Sequence, residues 1–279
     1  MSVPQDRGTW RTQCAPEGRG TGTSRVSVHV ETRGDGPDLV LVHGWGLHGG
    51  VWDTVAARLA ERCRLHVVDL PGFGASPLPD GPYTLETVAA AVTDAVPAGA
   101  DWLGWSLGGM VALAAARDGA DLRRLVTVGT SPRFVTGPDW PHAVDPAVLD
   151  GFAADLEDDF EGTLQRFLAL QTRGAEDGRA TLRRLREALT ARGAPRAEAL
   201  AAGLTILREA DLRPALPALD RPVLLVQGGR DTLVPTAAAE AAADLLPDAR
   251  LQILAGAGHA PFLSHPEAFI AAVEGFLDE

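Results

Sequence analysis

The sequence predicts an α/β fold: a mostly parallel central sheet with helices on both faces and a helical lid inserted after the sixth strand. Three features carry this expectation. Short continuous apolar runs recur along the chain, the pattern of strands buried on both faces. Helical patterns lie between them, and right-handed crossovers between parallel strands place such helices on either side of a sheet. The rhythm breaks once, between about residues 131 and 212, where helical patterns continue without a strand-like run.

Residues 1–24 are rich in Gly, Thr and Arg, show no periodicity, and are expected to form a flexible tail. The core is expected over residues 25–130 and 213–279, and the lid over residues 131–212. Alternation in RVSVHVE, from Arg25, predicts a first strand. DLVLVH (38–43), LHVVD (65–69), ADWLG (100–104), LVTVG (125–129), PVLLVQ (222–227) and LQIL (251–254) predict the buried strands. Helices are expected over residues 51–61, 85–96, 107–117, 237–246 and 266–277, the last opening on Pro266, which suits a first helical turn.

Composition narrows the function classes. With 279 residues, 46% hydrophobic and 22% charged, the chain can bury one large core and has no compositional reason to be disordered. A net charge of −12 argues against nucleic acid as partner, because phosphate binding needs a basic surface. Two cysteines, Cys14 and Cys63, make no disulfide framework and suit a reducing compartment. No apolar run is long enough to span a membrane, and the first 24 residues lack the apolar centre of a secretory signal. A cytoplasmic monomer is expected.

The chemistry is concentrated at strand ends. Gly104-Trp105-Ser106-Leu107-Gly108 is a G-x-S-x-G run, a weak signal alone, but here it follows the strand ADWLG and precedes the helix LGGMVALAAA. That strand, sharp turn and helix expose a serine hydroxyl above the sheet of an α/β-hydrolase fold. The blander alternative is a glycine-rich turn with an incidental serine. A serine hydroxyl is a poor nucleophile at neutral pH, so it needs a base and a group that orients the base, in the chain order Ser, Asp or Glu, His. Asp231 follows PVLLVQ in the turn Gly228-Gly229-Arg230-Asp231, and His259 follows LQIL in Gly256-Ala257-Gly258-His259. Sites in open α/β sheets lie at these carboxyl ends of strands.

The rivals have duller explanations. His29 and His66 lie in strands, His48 and His142 in loops, and His265 at a helix start. His43 heads the turn HGWG, where packing or local hydrogen bonding is expected of it. Asp69 also ends a strand but precedes the serine and leads into the turn PGFG. For a developing oxyanion, the expected donors are the backbone N–H groups of Leu107, at a helix N-terminus, and Trp45, in the loop after DLVLVH. No HExxH, phosphate-binding or dinucleotide fingerprint is present, so neither metal nor cofactor is expected.

Together LVHGWGLHGGVWD, VVDLPGFGASP, WLGWSLGGMVA, RFLALQTRG, GLTILREADLR, DTLVP and GHAPFLSHP resemble the pimeloyl-acyl carrier protein methyl ester esterases of biotin synthesis, the BioH family. The resemblance covers nearly everything after residue 25, the lid included. It implies hydrolysis of the methyl ester at the far end of a pimeloyl chain on acyl carrier protein. Ser106, Asp231 and His259 would then be the triad, with Trp45, Ser106, Leu107, Phe167, Leu168, Ala169, Leu170, Gln171 and His259 lining the substrate site. An acidic carrier protein is the implied partner, with Arg166, Arg179 and Arg183 at basic family positions as docking contacts. Gly162 departs from the family pattern, standing where another arginine would be expected. Charge alone shows a polarised lid: residues 139–161 hold eight acidic residues and no arginine, and arginines follow. Arg179, Arg183 and Arg186 fall on one helical face, with Leu182, Leu185 and Leu189 turned to another; local pairing with Glu176, Asp177 and Glu187 is the competing explanation. The same triad also serves small-molecule carboxylesterases or lactonases, acyltransferases and cofactor-free haloperoxidases, and a hydrolase scaffold can become a ligand-binding receptor.

Overall fold

The computed structural model describes residues 11–12 and 27–279; apart from Arg11–Thr12, the tail expected over residues 1–24 lies outside the described residues. One sheet contains β1 (Arg11–Thr12), β2 (His29–Arg33), β3 (Asp38–Val42), β4 (Arg64–Asp69), β5 (Ala100–Trp105), β6 (Leu122–Val128), β7 (Val223–Gly228) and β8 (Ala249–Leu254). Its order is β1-β2-β4-β3-β5-β6-β7-β8. β1 pairs antiparallel with β2, and β2 with β4; every other pair is parallel.

The central strands β5 and β7 are buried at every residue, which is why they read as continuous apolar runs rather than alternating ones. β8, at the sheet edge, is partly exposed. Helices α1 (Asp53–Leu59), α2 (Leu85–Ala95) and α3 (Leu107–Arg117) connect the first half of the sheet. Thr84 starts α2 with a capping box, its hydroxyl accepting from Thr87 N while Thr87 Oγ1 accepts from Thr84 N.

Between β6 and β7 the chain leaves the sheet and forms α4 (Pro146–Asp158), α5 (Phe160–Gln171), α6 (Gly178–Ala191) and α7 (Ala197–Glu209). β6 is sixth in chain order only because the short β1 precedes β2. Asp145 caps α4 through Ala147 N, and Asp159 caps α5 through Gly162 N. α6 buries Thr181, Leu185 and Leu189 and packs on α9 (Pro261–Ser264) and on the 3-10 turn Gly49–Trp52. After β7 come α8 (Thr236–Leu245), then α9 and α10 (Pro266–Leu277) behind β8.

Strand register places the site. Val42 of β3 lies opposite Gly104 of β5, Trp105 opposite Val128 of β6, and Val128 opposite Val226 of β7. The residues following these strands therefore share one edge of the sheet. Connections from β3 and β5 leave in opposite directions, so a crevice opens between the ends of those two strands. No helix of the described residues is long and apolar enough to cross a membrane, and no group of three or more His, Cys, Asp or Glu among them could hold a metal ion.

Candidate active site

Ser106 sits between β5 and α3 with φ 55° and ψ −117°, and among the described residues it is the only non-glycine residue with positive φ. Such a conformation costs on the order of 1–3 kcal/mol and persists where surrounding structure over-determines it. Here Ser106 N donates to Val128 O at 2.9 Å. The flanking glycines are steric necessities: a Cβ on Gly104 would strike the Gly108 carbonyl, and one on Gly108 the carbonyl oxygens of Val42 and His43. A Cβ on Gly44 would come 3.2 Å from Ser106 Cβ, so the HGWG turn lies directly against the serine. Leu107, the first residue of α3, has no carbonyl one turn earlier within the helix to receive its N–H.

His43 holds that turn. Leu70 N donates to its Nε2 at 2.9 Å, so the neutral ring carries its proton on Nδ1, which donates to Gly44 O at 2.8 Å. Burial lowers its pKa to about 4, against the opposing pull of Asp69. Because this lies below the unfolded value of 6.5, the unfolded chain takes up the proton first. The resulting stability is complete above pH 6.5 and is lost as pH falls towards 4, amounting to about 3 kcal/mol for this group. Urea unfolding across that window will show the loss in the wild type and a shallower slope in His43→Gln. Asp69, the rival acid, is occupied elsewhere: its carboxylate accepts from Gly49 N at 2.7 Å and Ala75 N at 2.9 Å, fastening the loops after β3 and β4.

Asp231 and His259 meet, as the order of the sequence required. His259 Nδ1 and Asp231 Oδ2 are 2.7 Å apart, with both side chains at most 1% exposed. Asp231 Oδ1 accepts from Leu233 N at 2.8 Å and Val234 N at 3.0 Å, and Oδ2 also accepts from Gln227 Nε2 at 3.0 Å. Every polar neighbour of this carboxylate is a donor, which makes the His259 proton on Nδ1 the one that completes the set. His259 Nε2 is buried and has no hydrogen-bond partner among the described residues, Ser106 included; such bonds often close only around substrate. Two contacts grip the histidine's backbone: its N donates to Gln171 O at 3.1 Å, and Trp105 Nε1 donates to its carbonyl at 2.8 Å. Trp105, the residue before the serine, thus serves the histidine.

A family model described as alpha/beta hydrolase family matches residues 39–272. The chain is 48% identical over 250 residues to the pimeloyl-[acyl-carrier protein] methyl ester esterase of Stenotrophomonas maltophilia (strain K279a), covering 90% of this chain and 96% of that one. To the protein of the same name from Xanthomonas oryzae pv. oryzae (strain MAFF 311018) it is 49% identical over 250 residues, covering 90% and 98%. The chain belongs to the pimeloyl-[acyl-carrier protein] methyl ester esterase family of alpha/beta hydrolases. The esterase EaEST from Exiguobacterium antarcticum matches with a TM-score of 0.81 over 90% of this chain and 96% of that one, at 23% identity, which shows the common fold.

The insertion of this esterase-family chain reaches the site through α5 and α7. Trp45 is pinned by both: its ring lies 4.5 Å from that of Phe167, and its Nε1 donates to Leu200 O at 2.9 Å. Of the five residues 167–171, Phe167, Leu168 and Gln171 are buried, Leu170 is half-buried, and Ala169 is exposed on the opposite helix face. A helix cannot turn five consecutive residues to one side. Gln171 Oε1 is buried and has no hydrogen-bond partner among the described residues. Of the three expected docking arginines, Arg166 is engaged by Asp155 and Asp159 at 3.1 and 2.9 Å, Arg183 lies 3.9 Å from Glu187, and Arg179 is exposed. Gln227 and the Trp105 indole had no motif to announce them; each acts through a tertiary contact.

Proposed function

We propose that this protein hydrolyses pimeloyl-[acyl-carrier protein] methyl ester to pimeloyl-[acyl-carrier protein] and methanol in biotin biosynthesis, through an acyl-enzyme on Ser106. The observation that carries the reading is 48–49% identity to esterases of that name across 90% of the chain, a span that must run through the helical insertion as well as the sheet. Sheets and triads are shared widely; insertions differ with substrate.

In the proposed mechanism Ser106 Oγ attacks the ester carbonyl while His259 Nε2 takes its proton. Asp231 keeps the imidazole proton on Nδ1 and stabilises the imidazolium that forms. The N–H groups of Trp45 and Leu107 receive the oxyanion, each donor contributing about 10²–10³-fold in rate. His259 returns the proton to the departing methoxide, and water repeats the sequence to free the acid. The Nε2 of His259, without a partner among the described residues, and the 2.7 Å contact with Asp231 support these roles. Phe167, Leu168, Leu170 and Gln171 form the wall met by the methylene chain, under residues 131–212 acting as a lid. All the groups come from one chain and none requires a metal or cofactor, which supports a monomer; carrier-linked biosynthesis and a sequence with only two cysteines, too few for a disulfide framework, support the cytoplasm.

The test is a comparison of kcat/KM on the carrier-linked methyl ester, a small aryl ester and a lactone, with product analysis in the presence of an alcohol acceptor. The carrier-linked ester is expected to be the best substrate, with free acid as product. Preference for the lactone or aryl ester, or transfer to the alcohol, would replace this reading with a general esterase or an acyltransferase.

A further inference from the structure

We propose that Gly203 is a positioning residue for the oxyanion donors. The bare backbone it leaves in the middle of α7 is the slot that seats the Trp45 indole, so the insertion sets the geometry of catalysis as well as covering the site. This rests on the mechanism proposed above, in which the N–H groups of Trp45 and Leu107 receive the oxyanion.

Gly203 lies in the interior of α7, a helix of 13 residues, where glycine is unfavourable relative to alanine because it has more backbone freedom to lose. With Leu200, Leu204 and Leu207 it falls at the i, i+3, i+4, i+7 spacing of the buried face. An apolar side chain is what that face otherwise carries. Here a ring from another part of the chain takes its place: a Cβ on Gly203 would come 2.6 Å from Trp45 Cδ1, 3.0 Å from Trp45 Nε1 and 3.5 Å from Leu107 Cδ2. The two residues it would meet are the two that carry the proposed donors.

The indole has no room to step aside. Its Nε1 donates to Leu200 O at 2.9 Å, one turn earlier on the same helix, and its ring lies 4.5 Å from that of Phe167 on α5. Phe167 is backed in turn by Phe152 of α4, ring to ring at 5.3 Å. The backbone beyond Trp45 is confined as well, since Gly46 has φ +80° and a Cβ there would meet Leu164 at 3.3 Å. A planar ring held at its edge and on its face passes any displacement to its own Cα and peptide N–H. A donor aimed at developing charge tolerates little of that, because its worth depends on being fixed in place beforehand.

The helix that holds the indole is itself tied to the sheet. Arg196 N, at the start of α7, donates to Gly72 O in the turn after β4, and Leu212 N, just past its end, donates to Pro132 O after β6, both at 2.9 Å. A Cβ on Gly72 would lie 2.5 Å from that of Ala199, so turn and helix are in direct contact there. The sheet order β4-β3-β5-β6 puts these two anchors on either side of β3 and β5. Those are the strands whose ends carry Trp45 and the Ser106-Leu107 pair. α7 is therefore a strut across the catalytic crevice, with Gly203 where it passes over the donors.

The experiment measures kcat and KM for 4-nitrophenyl acetate, the Kd of phenylboronic acid, whose adduct with a serine hydroxyl is tetrahedral like the oxyanion, and Tm. The proteins are wild type, Gly203→Ala, Trp45→Leu and the double variant. Gly203→Ala is expected to lower kcat about thirtyfold and phenylboronic acid affinity by a similar factor, with KM changed less than about twofold, because the donors act in the transition state. Trp45→Leu keeps the backbone N–H and replaces the rigid ring with a flexible end that gives way to the new methyl. In that background, itself slower, Gly203→Ala is expected to change kcat less than about threefold. If Gly203→Ala alone does not fold, Trp45→Leu is expected to restore its folding. Unchanged kcat and phenylboronic acid affinity, an equal loss in both backgrounds, or an unfolded single variant that Trp45→Leu does not restore overturns the proposal and leaves the esterase reading in place. A wild type that hydrolyses no ester overturns both.

Discussion

Ser106→Ala is expected to lower kcat for ester hydrolysis by on the order of 10⁶-fold while leaving the protein folded. In the proposed mechanism the hydroxyl is the atom that becomes acylated, and the hydroxyl of Thr130 close by is already engaged, donating to the carbonyls of Val128 at 3.0 Å and Ser106 at 3.3 Å. Alanine has the same Cβ, so the strain at φ 55° and the contacts of Gly44, Gly104 and Gly108 are unchanged. Activity and thermal unfolding measured together check this. Loss of activity with an unchanged Tm fits the nucleophile; a variant that retains hydrolysis shows that the attacking group is elsewhere.

Asp231→Asn is expected to lower kcat about 10⁴-fold, by forcing the wrong histidine tautomer. The side chain is surrounded by donors: Leu233 N and Val234 N on one oxygen, Gln227 Nε2 and His259 Nδ1 on the other. Asparagine has one oxygen. If that oxygen keeps the two backbone N–H groups, its NH2 faces His259 Nδ1, which must then give up its proton and place it on Nε2, where the base is needed. If the amide flips, two backbone donors are left without an acceptor in a buried site, at a cost of about 1–3 kcal/mol each. Either way the ring is misprotonated or the loop is loosened. The kcat measured beside the 15N chemical shifts of His259 separates the two outcomes.

Much of the site was legible in the sequence because its residues fall where the chain leaves the sheet. A strand such as PVLLVQ announces itself by its apolar run, and the first chemistry-bearing residue beyond it is easily found. The fold was legible for the same reason, and α3 and α10 have the bounds that the sequence pattern suggested. The edge strand β8 is two residues longer than the run LQIL suggests, since Ala249 and Arg250 are partly or fully exposed and carry no apolar signal. The 3-10 turn Gly49–Trp52 and the four-residue α9 are too short to show a period.

What stayed hidden depends on partners distant in sequence. Gln227 reads as the polar end of a strand, yet it completes the Asp231 carboxylate. Trp105 is only a variable position of the G-x-S-x-G run in the sequence, yet its N–H meets a carbonyl 154 residues away. Arg166 reads as a free cation because its acidic partners lie 7 and 11 residues earlier, beyond the i,i+4 spacing that a helical reading considers. Charge type was legible; whether a charge was already neutralised was not.

The most direct measurement is intact-mass spectrometry of acyl carrier protein loaded with the pimeloyl methyl ester, after incubation with the wild-type protein and with Ser106→Ala. The expected result is loss of the methyl group from the carrier-bound chain with the wild type, at catalytic protein concentration, and an unchanged mass with the variant. A folded wild-type protein that hydrolyses simple esters but leaves the carrier-bound methyl ester intact would contradict it.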